Sequence, residues 1–510
     1  MASTLENNKR IAKNTLYLYA RMLVIMFVSL YTSRIVLKAL GVNDFGTYNV
    51  VGGVVAMMGL LRGAMSAATT RYITFEIGRN DEAQLKKTFS VSIMIYASIC
   101  TLFLLIAETV GLWFVNTYLN IPEGREVAAN WVYQFTIFSV IFEMMAQPYN
   151  SLIISHEKMS VYSYVSILEV LLKLLIAYAL IYSPFDNLII YGFLMMCSSI
   201  IIQMIYAIYC RRKFPESKFK IYKDKKLFFE MLSYSWWNLF GSASALVKGQ
   251  GLNILLNVFF TPAVNAARGI AFQINNAISQ FSHNFYTAVR PQITKYYAQD
   301  DLNNMFKLVF RSSKLSFYLN LMFGVPLIIE TPQIIDLWLG QVPDYVVIFT
   351  RLIILISLVD AMAHPLMTSI HSTGHVALYQ SVVGTLNILN LPVSYVFLKL
   401  GYSPVSVFYV SLVITTLSLF VRLAIVKRYI PTFPTIKYTF QVFGVCLLVG
   451  IVMSILPALI HIYVPSSLWC VLIVFVASVV SEIVTVFFMG LKRDERGFVV
   501  DTFKKKFLKK

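Results

Sequence analysis

Long apolar runs, separated by short polar segments, repeat along the sequence from residue 15 to residue 490. An α-helix needs about 20 apolar residues to cross roughly 30 Å of hydrocarbon, and fourteen of the runs are long enough. The pattern therefore predicts an all-α polytopic membrane protein with 14 transmembrane helices. The predicted spans are residues 15–37, 46–69, 89–115, 129–154, 161–183, 187–209, 231–259, 264–289, 308–330, 346–370, 376–399, 403–426, 438–462 and 467–490.

Two of these apolar runs share the same interruption, an acidic residue followed five positions later by proline. The first reads EMMAQP and begins at Glu143, and the second reads DAMAHP and begins at Asp360, which lies 217 residues further along. Other residues recur at an offset of 220, among them Asp81, which matches Asp301. Matches at nearly one offset, in equivalent helices, indicate a duplication.

The duplication predicts two pseudo-symmetric six-helix lobes followed by two C-terminal helices. Because each lobe has an even number of helices, both begin on the same side, and in such parallel repeats the substrate path lies between the lobes. The predicted divisions are an N-lobe at 1–210, a cytoplasmic linker at 211–230, a C-lobe at 231–427, helices 13 and 14 at 428–491, and a basic cytoplasmic tail at 492–510.

Composition supports membrane insertion, and the placement of charge sets the orientation. Of the 510 residues, 58% are hydrophobic and 13% are charged, against about 25% charged in ordinary soluble domains. In and beside the loops, 32 Lys and Arg lie on the side of both termini and 3 on the opposite side, which predicts cytoplasmic termini. The net charge of +18 is then explained by topology, and nucleic acid is not expected as a partner.

Residue patterns typical of catalytic, cofactor or metal sites are missing from the sequence. The five cysteines have no metal-ligand spacing, and His364, His371 and His375 lie without carboxylates at such spacing. No nucleophile with a base, paired-carboxylate site or ATP motif is recognisable. We therefore predict no enzymatic activity, no cofactor and no metal.

Basic residues inside the predicted helices are the main candidates for function, because a charge at the bilayer centre costs about 3 kcal/mol on insertion scales and is usually paired or functional. Glu169 and Lys173 are spaced to neutralise each other. Three arginines near helix ends can reach the membrane surface, namely Arg34, Arg351 and Arg422. Four cations remain, on helices 1, 2, 7 and 8: Arg21, Arg62, Lys248 and Arg268. If these equivalent helices face one cavity, the four cations suit a phosphate-bearing anion.

The repeated carboxylates have two interpretations. Glu143 and Asp360 could change protonation or bind Na⁺ and so couple transport to an ion gradient. Alternatively, each could be structural, protonated and hydrogen-bonded to backbone groups that the following proline frees. Both interpretations remain open at this point.

The first predicted hairpin, with its LG-x-x-DFG-x-Y turn from Leu40 to Tyr48 and its basic residues, resembles the polysaccharide flippases of the multidrug/oligosaccharidyl-lipid/polysaccharide exporter superfamily. The resemblance covers nearly the whole chain. In the similar peptidoglycan-precursor flippases, cavity arginines on helices 1, 2 and 8 are important. By hairpin position these resemble Arg21, Arg62 and Arg268, whereas Lys248 has no secure match.

The resemblance implies a protein of the bacterial cytoplasmic (inner) membrane. Its expected activity is flipping undecaprenyl-pyrophosphate-linked oligosaccharide repeat units from the cytoplasmic to the periplasmic leaflet by alternating access. This step serves the biosynthesis of surface polysaccharide such as O-antigen, capsule or exopolysaccharide. The implied partners are the lipid-linked oligosaccharide, a possible coupling H⁺ or Na⁺, and the polymerase and glycosyltransferases of the pathway.

Two other functions are compatible with a helical membrane protein. An ion-coupled multidrug exporter of the same superfamily would favour an acidic cavity for cationic drugs, whereas cations predominate here. A non-transporting scaffold for glycan synthesis has no evident use for arginines inside the membrane.

Overall fold

The computed structural model describes residues 2–56, 58–118, 121, 124–260, 262–339, 342–465, 467–491 and 496–497, and these contain helices and turns but no strand. The predicted basic tail lies almost entirely outside the described residues. Three π-helical segments lie among the described residues, at Ala107–Gly111, Thr439–Gly444 and Val486–Gly490. The α-helices are α1 (Ala2–Ala56), α2 (Met58–Arg79), α3 (Glu82–Ile106), α4 (Leu112–Tyr118), α5 (Glu126–Ser155), α6 (Met159–Ile181), α7 (Asn187–Lys213), α8 (Lys225–Phe259), α9 (Pro262–Ala298), α10 (Leu302–Ile329), α11 (Thr331–Leu339), α12 (Val346–Thr373), α13 (Ala377–Lys399), α14 (Ser406–Tyr429), α15 (Thr435–Tyr438), α16 (Val445–Tyr463) and α17 (Leu468–Thr485).

Eleven helical segments among the described residues are long and apolar enough to cross a membrane. The prediction of an all-helical, multi-pass membrane protein is therefore confirmed, whereas the count of fourteen spans stays a prediction. Three predicted spans are not among these eleven segments. The first lies at the end of α1 and in α2, the second in α8 and the third in α9. These more polar helices carry Arg62, Lys248 and Arg268.

Gly41 divides α1 at the turn between the first two predicted spans. Its backbone has φ 75° and ψ 170°, in the region that glycine adopts without steric cost. Beyond it, the Asp44 side chain accepts two hydrogen bonds from Arg125, at 2.9 Å from Nε and 2.6 Å from Nη2. The same guanidinium binds Asp186 at 2.5 Å and 3.1 Å. The turn motif thus fastens α1 to the starts of α5 and α7.

Replacing Arg125 with Met should lower the melting temperature of the purified protein at neutral pH, because Asp44 and Asp186 lose their shared cation. The expected cost is about 1–2 kcal/mol, since the three side chains are partly exposed. The hydrogen bond from Arg125 lowers the pKa of Asp186 below its usual value. This stabilisation is therefore complete at neutral pH and is lost as pH falls through the lowered pKa of the folded state.

Thermal unfolding in detergent over a series of pH values tests this prediction, with the exposed Arg211→Met variant as a control. The difference in melting temperature between the wild type and Arg125→Met should become smaller as the pH becomes acidic. A variant that melts like the wild type at neutral pH would contradict the role given to this cluster.

The helix bounds repeat along the chain at the offset seen in the sequence. Asp81 caps α3 by accepting a hydrogen bond from the backbone of Gln84, and Asp301 caps α10 in the same way through Asn304. These two caps lie 220 residues apart. Likewise α6 starts at Met159 and α13 starts at Ala377, each just after a proline-bearing helix.

The described helices divide into two compact units, Met1–Ala243 with Thr294–Asp300, and Ser244–Ile293 with Asp301–Lys510. The predicted C-lobe instead begins at residue 231, within α8. The first part of α8 belongs with the first unit because Met231 joins a core cluster with Tyr96 and Met144. The division into two six-helix lobes as such stays a prediction.

The end of α9 packs closely against α2 within the first unit. A Cβ atom added to Gly78 would lie 2.7 Å from the Cβ of Ala298, so only glycine fits there without a shift. Glu157, whose side chain is fully buried, binds Lys295 at 2.6 Å and Arg10 at 2.7 Å. These ion pairs fasten the end of α9 and the start of α1 to the turn after α5.

The predicted linker is an ordered, packed segment. Glu216 accepts a hydrogen bond of 2.6 Å from His156, whose ring stacks on Phe214. Burial opposes ionisation of Glu216, but the hydrogen bonds from His156 and the backbone lower its pKa below the usual value. Further along, Asp224 forms an ion pair with Lys87 of α3. The segment between α7 and α8 therefore lies on the ends of α3 and α5.

Candidate functional site

The six residues predicted to form the site lie on six different helices. In the first unit, Arg21 is on α1, Arg62 on α2 and Glu143 on α5. In the second unit, the remaining three lie on α8, α9 and α12, and these are Lys248, Arg268 and Asp360.

Arg62 and Glu143 form a direct ion pair in the first unit. Arg62 Nη1 lies 2.5 Å from Glu143 Oε2, and the two side chains remain 42% and 37% exposed. A pair this exposed can be reached by another anion, which can then compete with the carboxylate for the guanidinium. The proline in EMMAQP lies within α5, yet the partner of the carboxylate is an arginine of another helix.

Arg21 is positioned by an aromatic ring. Its guanidinium carbon lies 4.4 Å from the centre of the Tyr162 ring on α6, within the range of a cation–π contact. The buried Nε atom has no hydrogen-bond partner among the described residues. No carboxylate of the described chain forms an ion pair with Arg21. Its charge is therefore not offset locally.

Arg268 is held by neutral groups of the second unit. It donates one hydrogen bond of 2.8 Å to the Gly249 carbonyl and another of 3.2 Å to the Asn253 side chain. Its guanidinium also lies 4.4 Å from the centre of the Phe272 ring. These contacts fix the side chain without cancelling its charge.

Asp360 is paired with an arginine that the sequence assigns to the membrane surface. Arg422 Nη1 lies 3.2 Å from Asp360 Oδ1, and the Arg422 side chain is only 12% exposed. The side chain of Tyr379 also interacts with Arg422. The interpretation of Arg422 as a residue reaching toward the membrane surface is therefore wrong, because its charge is directed to a carboxylate inside the bundle of the second unit.

Lys248 and His364 complete the surroundings of this carboxylate. Both interact electrostatically with Asp360, together with Arg422. This carboxylate therefore lies among three groups that can carry positive charge. Its side chain is nevertheless 46% exposed and so remains accessible to solvent. The local balance around Asp360 is cationic.

The two units thus contain related arrangements of charged and aromatic residues. In each, an acid on a proline-bearing helix pairs with an arginine, and a tyrosine on the following helix binds an arginine. Tyr162 and Tyr379, which lie 217 residues apart, contact Arg21 and Arg422 respectively. The arginine positions themselves do not follow the repeat, and for this reason sequence symmetry did not reveal Arg422.

Other predicted residues have local roles. The pair Glu169 and Lys173 forms as predicted, at 2.6 Å. Arg351 donates a hydrogen bond to the Ile328 carbonyl. Each of the three histidines near the end of α12 contacts an aromatic ring. The pairs are His364 with Tyr286, His371 with Tyr379, and His375 with Tyr429.

Comparison with known proteins gives one family and one fold. The model of the family described as "Polysaccharide biosynthesis protein" matches residues 11–297, which is more than half of the chain. No significant match was found among curated proteins.

Solved structures of MATE transporters share the fold at low sequence identity. An outward-facing multidrug resistance MATE family transporter of the MOP superfamily is 12% identical, with a TM-score of 0.71 over 84% of this chain and 97% of that chain. MATE in the straight conformation is 12% identical, with a TM-score of 0.68 over 83% and 96%. A mutant of the Vibrio cholerae MATE transporter VcmN is 16% identical, with a TM-score of 0.63 over 85% and 99%.

Proposed function

Because this chain belongs to the polysaccharide biosynthesis protein family and has the fold of MATE transporters, we propose that it flips lipid-linked oligosaccharide repeat units across the membrane by alternating access. The substrate class is undecaprenyl-pyrophosphate-linked oligosaccharide, delivered from the cytoplasmic to the periplasmic leaflet of the bacterial inner membrane. The product then enters surface polysaccharide biosynthesis.

The surplus of guanidinium groups inside the predicted membrane spans is the observation that carries the proposal. Arg21 and Arg268 have no carboxylate partner among the described residues, and Arg62 has one that is accessible. A pyrophosphate supplies the missing negative charge, and guanidinium groups bind phosphate oxygens through paired, charge-assisted hydrogen bonds. A cationic drug would instead be repelled by these groups.

The pyrophosphate and the glycan are the parts of the substrate that cannot cross hydrocarbon unaided. We assign the pyrophosphate to Arg21, Arg62, Lys248 and Arg268, while the prenyl chain remains in the lipid. Fourteen membrane spans and cytoplasmic termini are part of this proposal, in line with the charge bias of the loops.

Release of the substrate requires a competitor for the cations. Glu143 is such a competitor, because the same Arg62 atom that would bind phosphate is paired with its carboxylate. Protonation of Glu143, or Na⁺ bound to it, would free Arg62 for the pyrophosphate, and the reverse step would expel the pyrophosphate. Asp360 has an equivalent position beside Lys248 and Arg422.

Complementation of a flippase-deficient bacterial strain tests the function. Expression of this chain together with the matching glycan pathway should restore surface polymer. A drug exporter would instead raise drug resistance without polymer, and a scaffold would restore polymer equally well when Arg21 and Arg268 are replaced by Ala. Either of these two results would reject the proposal.

A further inference from the structure

Three potential metal ligands meet at one end of the second unit. Glu330 follows the last residue of α10, His461 lies in the last turn of α16, and Cys470 lies in the first turn of α17. Their ligand atoms all lie within 4.8 Å of one another. His461 and Cys470 lie 131 and 140 residues after Glu330. Because these separations are so large, no local spacing in the sequence reveals the group.

The group is built around a buried carboxylate with an unused oxygen. The Glu330 side chain is fully buried, and Cys470 is only 1% exposed. Glu330 Oε1 lies 2.8 Å from His461 Nδ1 and 3.7 Å from Cys470 Sγ. Its second oxygen, Oε2, is buried and has no partner among the described residues. A buried acceptor without a partner is costly and indicates a missing donor or cation.

We propose that Glu330, His461 and Cys470 bind one divalent transition-metal ion of the zinc class. In a tetrahedral zinc site with bonds of about 2.0–2.3 Å, neighbouring ligand atoms lie roughly 3.3–3.7 Å apart. The distance between Cys470 Sγ and Glu330 Oε1 is already in this range. The 2.8 Å between His461 Nδ1 and Glu330 Oε1 would have to widen by about half an ångström.

The mixture of donor atoms selects the class of metal. A thiolate disfavours Ca²⁺ and Mg²⁺, which take oxygen ligands, and one carboxylate with one imidazole disfavours Cu⁺, which prefers several sulfur ligands. Zn²⁺ accepts all three donor types. With Glu330 and Cys470 ionised and His461 neutral, the two negative charges balance the ion, and binding releases the thiol proton to solvent.

His461 is the most exposed of the three ligands, with a side chain 34% exposed, so solvent can supply a fourth ligand. The charge bias of the loops predicts that this end of α10, α16 and α17 faces the periplasm. Because the ligands come from three helices, the ion would fasten the last two helices of the chain to α10. Metal binding should therefore stabilise the folded protein against heat.

The test uses the full-length chain purified in detergent without a histidine tag and stripped with a chelator. Added Zn²⁺ should bind at one ion per chain and raise the melting temperature. Co²⁺ in place of Zn²⁺ should show a thiolate-to-metal charge-transfer absorption. Cys470→Ser and His461→Asn should each weaken zinc binding by more than about a hundredfold and abolish that absorption.

Matched controls are Cys197→Ser and His375→Asn, whose side chains lie outside the group and are more exposed. Both should bind zinc like the wild type. Absence of zinc binding by the wild type, or unchanged binding by both Cys470→Ser and His461→Asn, would overturn the assignment. Because neither variant alters a residue of the proposed flippase site, a negative result here leaves the transport proposal intact.

Discussion

Cells that carry Arg62→Ala should make at least tenfold less surface polymer than cells with the wild-type protein. Lipid-linked repeat units should accumulate on the cytoplasmic leaflet. A charge-assisted hydrogen bond contributes about 1.5–3 kcal/mol, so loss of one guanidinium from a pyrophosphate site corresponds to roughly a tenfold to hundredfold decrease. The measurement is the ratio of surface polymer to undecaprenyl-linked intermediate, at equal amounts of membrane-inserted protein.

The protein level itself should hardly change, because the side chains of Arg62 and its ion-pair partner Glu143 are 42% and 37% exposed. Arg79→Ala, an exposed arginine near the end of the same helix, is the matched control and should leave polymer unchanged. Arg62→Lys keeps the charge but loses the planar fork, and it should fall between wild type and Arg62→Ala. Normal polymer in Arg62→Ala cells would remove this residue from the site.

Asp360→Asn should lose both stability and transport. The substitution leaves the Arg422 guanidinium, which is only 12% exposed, without its carboxylate and with Lys248 nearby. Arg422 is largely buried but the Asp360 carboxylate is 46% exposed and partly screened by solvent, so loss of the carboxylate costs about 1–3 kcal/mol. We therefore expect a markedly lower melting temperature in detergent and a lower yield of membrane protein, in addition to loss of polymer.

A double variant separates the structural role of Asp360 from a role in ion coupling. Asp360→Asn combined with Arg422→Met removes both charges, and it should recover much of the lost stability because the two effects are not additive. Transport should stay defective if Asp360 also has a coupling role. A single Asp360→Asn variant as stable as wild type would contradict the importance given to this ion pair.

Glu143→Gln is the equivalent substitution at the other repeated acid. Its partner Arg62 is half-exposed, so removal of the carboxylate should leave stability nearly unchanged. Polymer should still decrease, because nothing then displaces the pyrophosphate from Arg62. The contrast between the two acids follows from the different burial of their arginine partners, which the repeated sequence motif does not reveal.

Helix positions, membrane insertion and the family could all be predicted from the sequence, because each depends on local runs of residues. Apolar runs of about 20 residues identify spans, and the turn at Gly41 depends on local backbone chemistry. The close pair of Glu169 and Lys173 was predicted for the same reason, since four residues form about one helical turn.

Contacts between distant helices could not be predicted in this way. Asp360 and Arg422 are 62 residues apart, and Arg62 and Glu143 are 81 apart, so their pairing depends on how whole helices pack. The repeat offset did not help, because the acids recur but their arginine partners do not. The grouping of Glu330 with two later helices has the same origin.

Reconstituted transport tests whether arginines inside these helices carry a pyrophosphate-linked glycan across the membrane. Purified protein is placed in liposomes that contain fluorescent undecaprenyl-pyrophosphate oligosaccharide in both leaflets. An impermeant glycosidase outside the liposomes then reports how fast glycan from the inner leaflet becomes accessible. We expect full digestion with wild-type protein and at least tenfold slower digestion of the inner pool with Arg62→Ala. Equal digestion with both proteins, or none above protein-free liposomes with the wild type, would contradict the account.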